Sequence, residues 1–268
     1  MAEISAKLVK ELRDQTGAGM MDCKRALEET NGDLEAAKRL LREKGMAAAG
    51  KRAGRATTEG LVGYRVADDG SRGTMVAVGC ETEPVSKNDE FRSFAERVLA
   101  AVEARGQDGA EELEQERLEL SGKLGENITV AGAARFEAVD SGLVSAYVHP
   151  PAHKLGVLVG VRGGDADLAR KVAMHVAASP ATQWIGREDV PEDAVAAERD
   201  IYLSSDEVQS KPEQAREKIV EGMLNKRFFG ASVLEEQEWV HDTSKKVADV
   251  LREASAEVLE FERFALAG

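Results

Sequence analysis

Residues 73–94 read GTMVAVGCETEPVSKNDEFRSF. An apolar run of strand type ends at Cys80, an acidic corner containing Pro84 follows, and a helix then begins. Upstream, LVGYRV (61–66) is a second strand. Downstream, Phe91, Phe94, Ala95, Val98, Leu99 and Val102 fall on one helical face. The order over 61–102 is strand, strand, helix, and it returns farther along. GLVSAYVH (142–149) and LGVLVGVRG (155–163) are strands, and DADLARKVAMHVAAS (165–179) is a helix with Leu168, Val172 and Val176 inward. This repeat decides the fold class. It is α+β, with two related subdomains, each an antiparallel sheet covered by helices.

The first subdomain spans 61–140. A polar helix lies over 110–121, SGKLGEN (121–127) is a loop, and ITVAGAARFEAV (128–139) is a further strand. The second occupies 141–190 and 231–268, where SVLEEQEWV, SKKVADVLREASAEV and LEFERFAL supply strand, helix and strand. Residues 191–230 interrupt it. Pro191 opens one helix, SKP (210–212) marks a turn, and a second helix starts at Pro212, an antiparallel coiled-coil hairpin. The first 45 residues form a three-helix module. Ile4, Leu8 and Leu12 recur at i, i+4 and i+8, TGAG (16–19) is a tight connection, and Met20, Cys23 and Leu27 line a second helix. Asp33 caps the third helix and Gly45 suits its C′ position. Three helices of this length are marginal alone, so the module serves to present a surface. Residues 46–60, MAAAGKRAGRATTEG, read as a linker whose Lys51, Arg52 and Arg55 either touch nucleic acid or form a solvated hinge.

The 268 residues carry a net charge of −13, which argues against a general nucleic-acid-binding surface, because phosphate contacts need a basic footprint. The N-terminus is charged from its third residue and no run approaches the ~18 apolar residues of a membrane span. Cys23 and Cys80 make no disulfide framework, so a reducing, cytoplasmic setting is expected. The search for chemistry is mostly negative. GAGMMD (17–22) follows a helix, and Asp22 stands where a dinucleotide fingerprint needs glycine. His149 and His153 have the spacing of a helical metal pair, but Pro150 and Pro151 forbid that helix. His175 suits packing or surface better than a general base. Glu81 and Glu83 would keep the Cys80 thiol protonated, and EELEQERLEL (111–120) is a solvated helix face. No catalytic residue, metal site or cofactor is expected.

LVKELRDQTGAGMMDCKRALEETNGDLEAAKRLLREKG (8–45) closely resembles the opening signature of bacterial elongation factor Ts, the guanine-nucleotide exchange factor of elongation factor Tu. KRAGRATTEGLV (51–62), CETEPVSKNDEFRSFAERVL (80–99), LGENI (124–128), the VH and LGVLV of 148–159, AMHVAAS (173–179) and SKKVADVLREASAEVLEFERF (244–264) follow in the family's order. The resemblance implies a ubiquitin-associated-like module at 1–45, two α+β core subdomains and a coiled-coil hairpin at 191–230. It implies no active site, and one partner, elongation factor Tu, bound with GDP and without nucleotide.

The segment Thr82, Glu83, Pro84 and Val85 sits where the family carries TDFV, whose aspartate and phenylalanine enter the partner near its magnesium-binding region. Here Glu83 and Pro84 replace that pair. Either the cognate GTPase has a compensating groove or this chain exchanges more weakly. Three further contact positions match. Lys24 lies in the helical module, Leu124 and Gly125 in a loop facing the same partner domain, and His149 in the second subdomain facing another. Without the resemblance, Lys24 reads as a solvated charge and Leu124–Gly125 as an ordinary turn. An adaptor or chaperone-like module with weak exchange activity is the alternative function.

Overall fold

The strand that leads into the acidic corner is buried on both faces, and the architecture follows from that. The computed structural model describes residues 4–266. In β2 (Arg72–Cys80), Val76, Val78 and Cys80 face Phe91, Phe94, Val98 and Val102 of α5 (Asp89–Arg105). Met75 and Ala77 point the other way, into a layer shared with Val144, Ala146 and Leu158. A strand buried on two faces is written as a continuous apolar run, not an alternating one. β5 (Leu155–Arg162) does the same in the second half. Its Val157, Val159 and Val161 meet Val172 and Val176 of α8 (Ala166–Ala178), and Leu158 enters the shared layer.

Each of these strands is the centre of a three-stranded antiparallel sheet. β1 (Glu59–Val66), β2 and β3 (Ile128–Glu137) make one, and β4 (Leu143–Val148), β5 and β6 (Glu257–Ala265) make the other. Both sheets shift register at a comparable point, beside Ala77/Val78 and beside Gly160/Val161, where centre strand meets third strand. The packing order is α5, first sheet, second sheet, α8. The strand–strand–helix repeat is therefore present as two similar halves, packed sheet to sheet.

The helices begin where their caps place them. Asn88 accepts from the Glu90 and Phe91 amides at 2.8 and 3.3 Å, and Asp165 accepts from the Leu168 amide at 2.8 Å. At the N-terminal end, α1 (Ala6–Thr16), α2 (Met20–Glu29) and α3 (Leu34–Arg52) close around Leu12, Cys23, Leu27 and Ala37.

Gly45 does not end the third helix. α3 continues to Arg52 through half of the stretch expected to be a linker, because MAAAGKR is rich in alanine, the best helix former. Gly45 serves contact instead. A Cβ added at Gly122, on α7 (Glu114–Leu124), would come within 2.8 Å of the Gly45 backbone, so the two glycines let α3 and α7 touch directly. An ion pair between Arg42 and Glu119 bridges the same two helices. Gly122→Leu should therefore pry the helices apart, with an overpacking cost of about 1–3 kcal/mol. The expected readout is faster hydrogen exchange in α1–α3 while the amides of β2 and β5 keep their protection.

Two other expectations are corrected. The segment SVLEEQEWV is not a strand. It makes single bridges from Val233 to Trp184 and from Glu238 to Lys246, with a 3-10 turn at Leu234–Glu236 between them. Its buried residues are Ser232, Val233, Leu234, Gln237 and Trp239, a spacing that no period of two can produce. The stretch SGKL is not loop either: after a short helix, α6 (Asp108–Glu111), α7 runs through Leu124.

Within 191–230, α9 (Glu192–Ser204) and α11 (Glu213–Met223) are joined by a helical turn, α10 (Asp206–Gln209). Val208, Val220, Met223, Leu224 and Phe229 make a separate apolar cluster there. Arg199 of α9 reaches Glu217 and Glu221 of α11 at 3.2 and 2.8 Å. Among the described residues, no helix is long and apolar enough to cross a membrane.

Candidate functional site

β2 ends at Cys80, and one helical turn, α4 (Glu83–Ser86), separates it from α5. Thr82 is extended at the N-cap, and Pro84 lies in the first turn, where a missing amide costs no helical hydrogen bond. The Ser86 and Lys87 amides close the turn onto the Thr82 and Glu83 carbonyls, each at 3.2 Å. Thr82, Glu83 and Pro84 are exposed, whereas Val85 is half-buried against the core under α5. Lys87, 2.7 Å from Glu83, holds that carboxyl below its usual range, first by hydrogen bonding and then by charge. The tip is therefore charged, polar and outward, on an apolar root.

Four further residues hold it. The Glu126 carboxylate accepts from the Glu81 and Thr82 amides, each at 3.0 Å, and from the Thr82 hydroxyl. In exchange, the Glu81 carboxylate accepts from the Asn127 amide at 2.6 Å and from Arg55 at 3.4 Å. The buried Asn127 side chain donates to the Arg55 carbonyl at 2.8 Å, tying in the chain that leaves α3. The end of β2 and the start of β3 are thus clamped by an exchange of carboxylates. Gly125 makes this possible. It caps α7 at φ 77°, a left-handed conformation that glycine adopts without strain, and turns the chain at once so that Glu126 faces Thr82. Glu126 was not among the residues singled out from the sequence. It lies far from Thr82 along the chain, and only the adjacent glycine hinted at its setting.

The sequence-derived positions converge unevenly. Gly125 is exposed and lines a groove of about 530 Å³ with Gly19, which precedes α2, Asp22 and Arg25 of α2 and Lys44 of α3. Lys24 is exposed on α2 and pairs with Glu28 at 3.8 Å. Leu124 is the last residue of α7 and packs, half-buried, on the same core as Val85, so it supports the tip without forming it. His149 is exposed at the end of β4. The turn it begins reaches the corner's end of the molecule, where Lys154 pairs with Glu59, the register partner of Cys80. Val62 also donates to the His153 carbonyl at 2.7 Å.

The Cys80 thiol is held protonated at this end. Cys80 is buried, and burial pushes its thiol up to about 12, helped by Glu126 and Glu59 rather than by its neighbours Glu81 and Glu83. No group of three or more His, Cys, Asp or Glu among the described residues could hold a metal ion.

His175 is structural. Its Nδ1 accepts from the Val240 amide at 3.2 Å, leaving Nε2 to donate to Gln237 at 2.7 Å, and its ring stacks on Trp239 at 5.2 Å. Burial lowers its pKa, so the folded state keeps the ring neutral while the unfolded chain protonates near pH ~6.5. Its contribution is complete above that pH and is lost as pH falls through it. Urea unfolding at pH 7.5 and 5.5 should show a smaller loss of midpoint in His175→Asn than in the unsubstituted chain.

The corner is thus a rigidly held, outward acidic tip on an apolar root. Comparison with known proteins supplies the family. The family model Elongation factor TS matches residues 81–268, starting at the corner itself. Elongation factor Ts of Idiomarina loihiensis is 42% identical over 97% of this chain and 90% of its own length. The proteins of that name from Thioalkalivibrio sulfidiphilus and Sodalis glossinidius are each 40% identical, over 97% and 98% of this chain and 91% and 92% of their own. The chain belongs to the elongation factor Ts family, a family of protein-biosynthesis elongation factors.

Proposed function

We propose that this chain binds elongation factor Tu, with GDP and without nucleotide, and promotes GDP release and its replacement by GTP. In this reading Thr82, Glu83, Pro84 and Val85 press on the partner's magnesium and phosphate site from outside. Lys24, on a ubiquitin-associated-like module formed by α1–α3, and Gly125 touch the same partner domain. His149 touches another. Leu124 backs the tip. Residues 191–230 act as a coiled-coil hairpin, and the chain works in the cytoplasm without its own cofactor, catalytic site, nucleic acid or membrane partner.

One observation carries this reading. Glu126 fixes the backbone of an exposed acidic tip that has no chemistry of its own. A tip held in place before binding spends little ordering energy when it meets its target. The thermodynamics are those of linkage. A factor that binds the vacant GTPase more tightly than the filled one must weaken nucleotide affinity by the same ratio. Direction is then set by the supply of GTP.

Stopped-flow release of labelled GDP from elongation factor Tu tests this, with acceleration as the expected result. Binding without acceleration would favour the adaptor reading. The feature behind that alternative is the Glu83–Pro84 pair, where the resemblance implies aspartate and phenylalanine.

A further inference from the structure

Tyr147 and His149 lie two residues apart on β4 and its end, so their side chains leave the same face of the strand. The Tyr147 ring packs, half-buried, against the core beneath α8. Its hydroxyl ends 2.8 Å from His149 Nδ1, with the two rings edge-on at 6.0 Å. The His149 backbone is pinned as well. Its amide donates to the Leu155 carbonyl at 2.8 Å, and its carbonyl accepts from the His153 amide at 3.1 Å. An exposed imidazole with a fixed backbone and an anchored phenol on one nitrogen has little freedom left.

A neutral imidazole carries one donor and one acceptor, and the hydrogen bond made by one nitrogen sets the proton on the other. A phenol is a stronger donor than acceptor, so the Tyr147 hydroxyl donates to Nδ1 and the ring proton resides on Nε2. No described residue bonds that nitrogen. We infer that Tyr147 is a positioning residue that locks His149 as an outward Nε2–H donor, and that the group His149 meets on its partner is a hydrogen-bond acceptor, a carbonyl or carboxylate oxygen. This rests on the proposed contact of His149 with elongation factor Tu.

The test uses the full chain labelled with ¹⁵N-histidine, the His149 signals being assigned by their loss in His149→Ala. The unsubstituted chain should show the Nε2–H tautomer, and Tyr147→Phe should shift it to a mixture. Affinity for nucleotide-free elongation factor Tu should fall about threefold in Tyr147→Phe and about tenfold in His149→Ala, the sizes expected for losing orientation and losing the bond. The double variant should match His149→Ala alone, because Tyr147 acts through His149. An Nδ1–H tautomer in the unsubstituted chain, or losses that add, would overturn the inference. Unchanged affinity in His149→Ala would instead remove the contact, and with it the acceptor on the partner, while the tautomer still decides what Tyr147 does.

Discussion

Glu126→Ala is expected to slow GDP release from elongation factor Tu about tenfold at saturating factor, with little change in the unfolding midpoint of the chain itself. Glu126 accepts three hydrogen bonds from the corner: two backbone amides and the Thr82 hydroxyl. Hydrogen bonds to charged groups are worth about 1.5–3 kcal/mol each when intact. The corner is solvent-facing, so most of that returns as hydration once the carboxylate is gone. A residual loss of about 1–2 kcal/mol in holding the tip corresponds to roughly a tenfold rate effect. Core packing is untouched, since Val85 and Leu124 keep their apolar contacts. Glu126→Gln retains an acceptor oxygen for the amides and should lose less. Wild-type exchange rates in Glu126→Ala would show that the clamp does not position the tip.

The second large effect is expected at the tip. Pro84→Phe should raise the rate of GDP release about three- to tenfold. Full burial of a phenyl ring is worth about 1.5–3 kcal/mol, and proline offers only part of that area. The backbone tolerates the exchange, because residue 84 sits in the first turn of α4 and its amide needs no partner within the helix. A fall in rate would mean that the partner's groove is shaped to proline. An unaltered rate would show that this corner is not the wedge. Stopped-flow release with the cognate elongation factor Tu separates the three outcomes.

The fold was legible wherever burial imposed a pattern on the residues. GTMVAVGC and LGVLVGVR are continuous apolar runs because β2 and β5 are each covered on both faces, and the facing helices show the matching stripe. What was not legible depended on residues distant in sequence. Gly45 looked like a helix terminator because the same residue type serves caps and close contacts, and only α7, through Gly122, tells them apart. SVLEEQEWV was expected to be a strand, but the Leu234 and Glu235 amides donate to the Trp184 and Ile185 carbonyls, partners far away in sequence that no ladder supplies.

The site divides along the same line. Thr82, Glu83, Pro84 and Val85 stood out as an acidic corner between a strand and a helix. Their meaning came from family resemblance, since nothing in their chemistry names a partner. Glu126 escaped notice because the corner it holds is reached only through the turn at Gly125. The neighbouring carboxylates Glu81 and Glu83 are not the main influence on the Cys80 thiol. Burial dominates, and the carboxylates acting on it are Glu126 and Glu59, brought close by the sheet and not by sequence.

Exchange by this chain would rest on a tighter grip on the vacant partner than on the filled one. Isothermal titration of the full chain into elongation factor Tu, once stripped of nucleotide and once saturated with GDP, measures it directly. Affinity for the stripped form should be higher by at least the roughly 5–150-fold range of ordinary allosteric coupling. Equal affinity for the two forms would contradict exchange by this chain, whatever the corner touches.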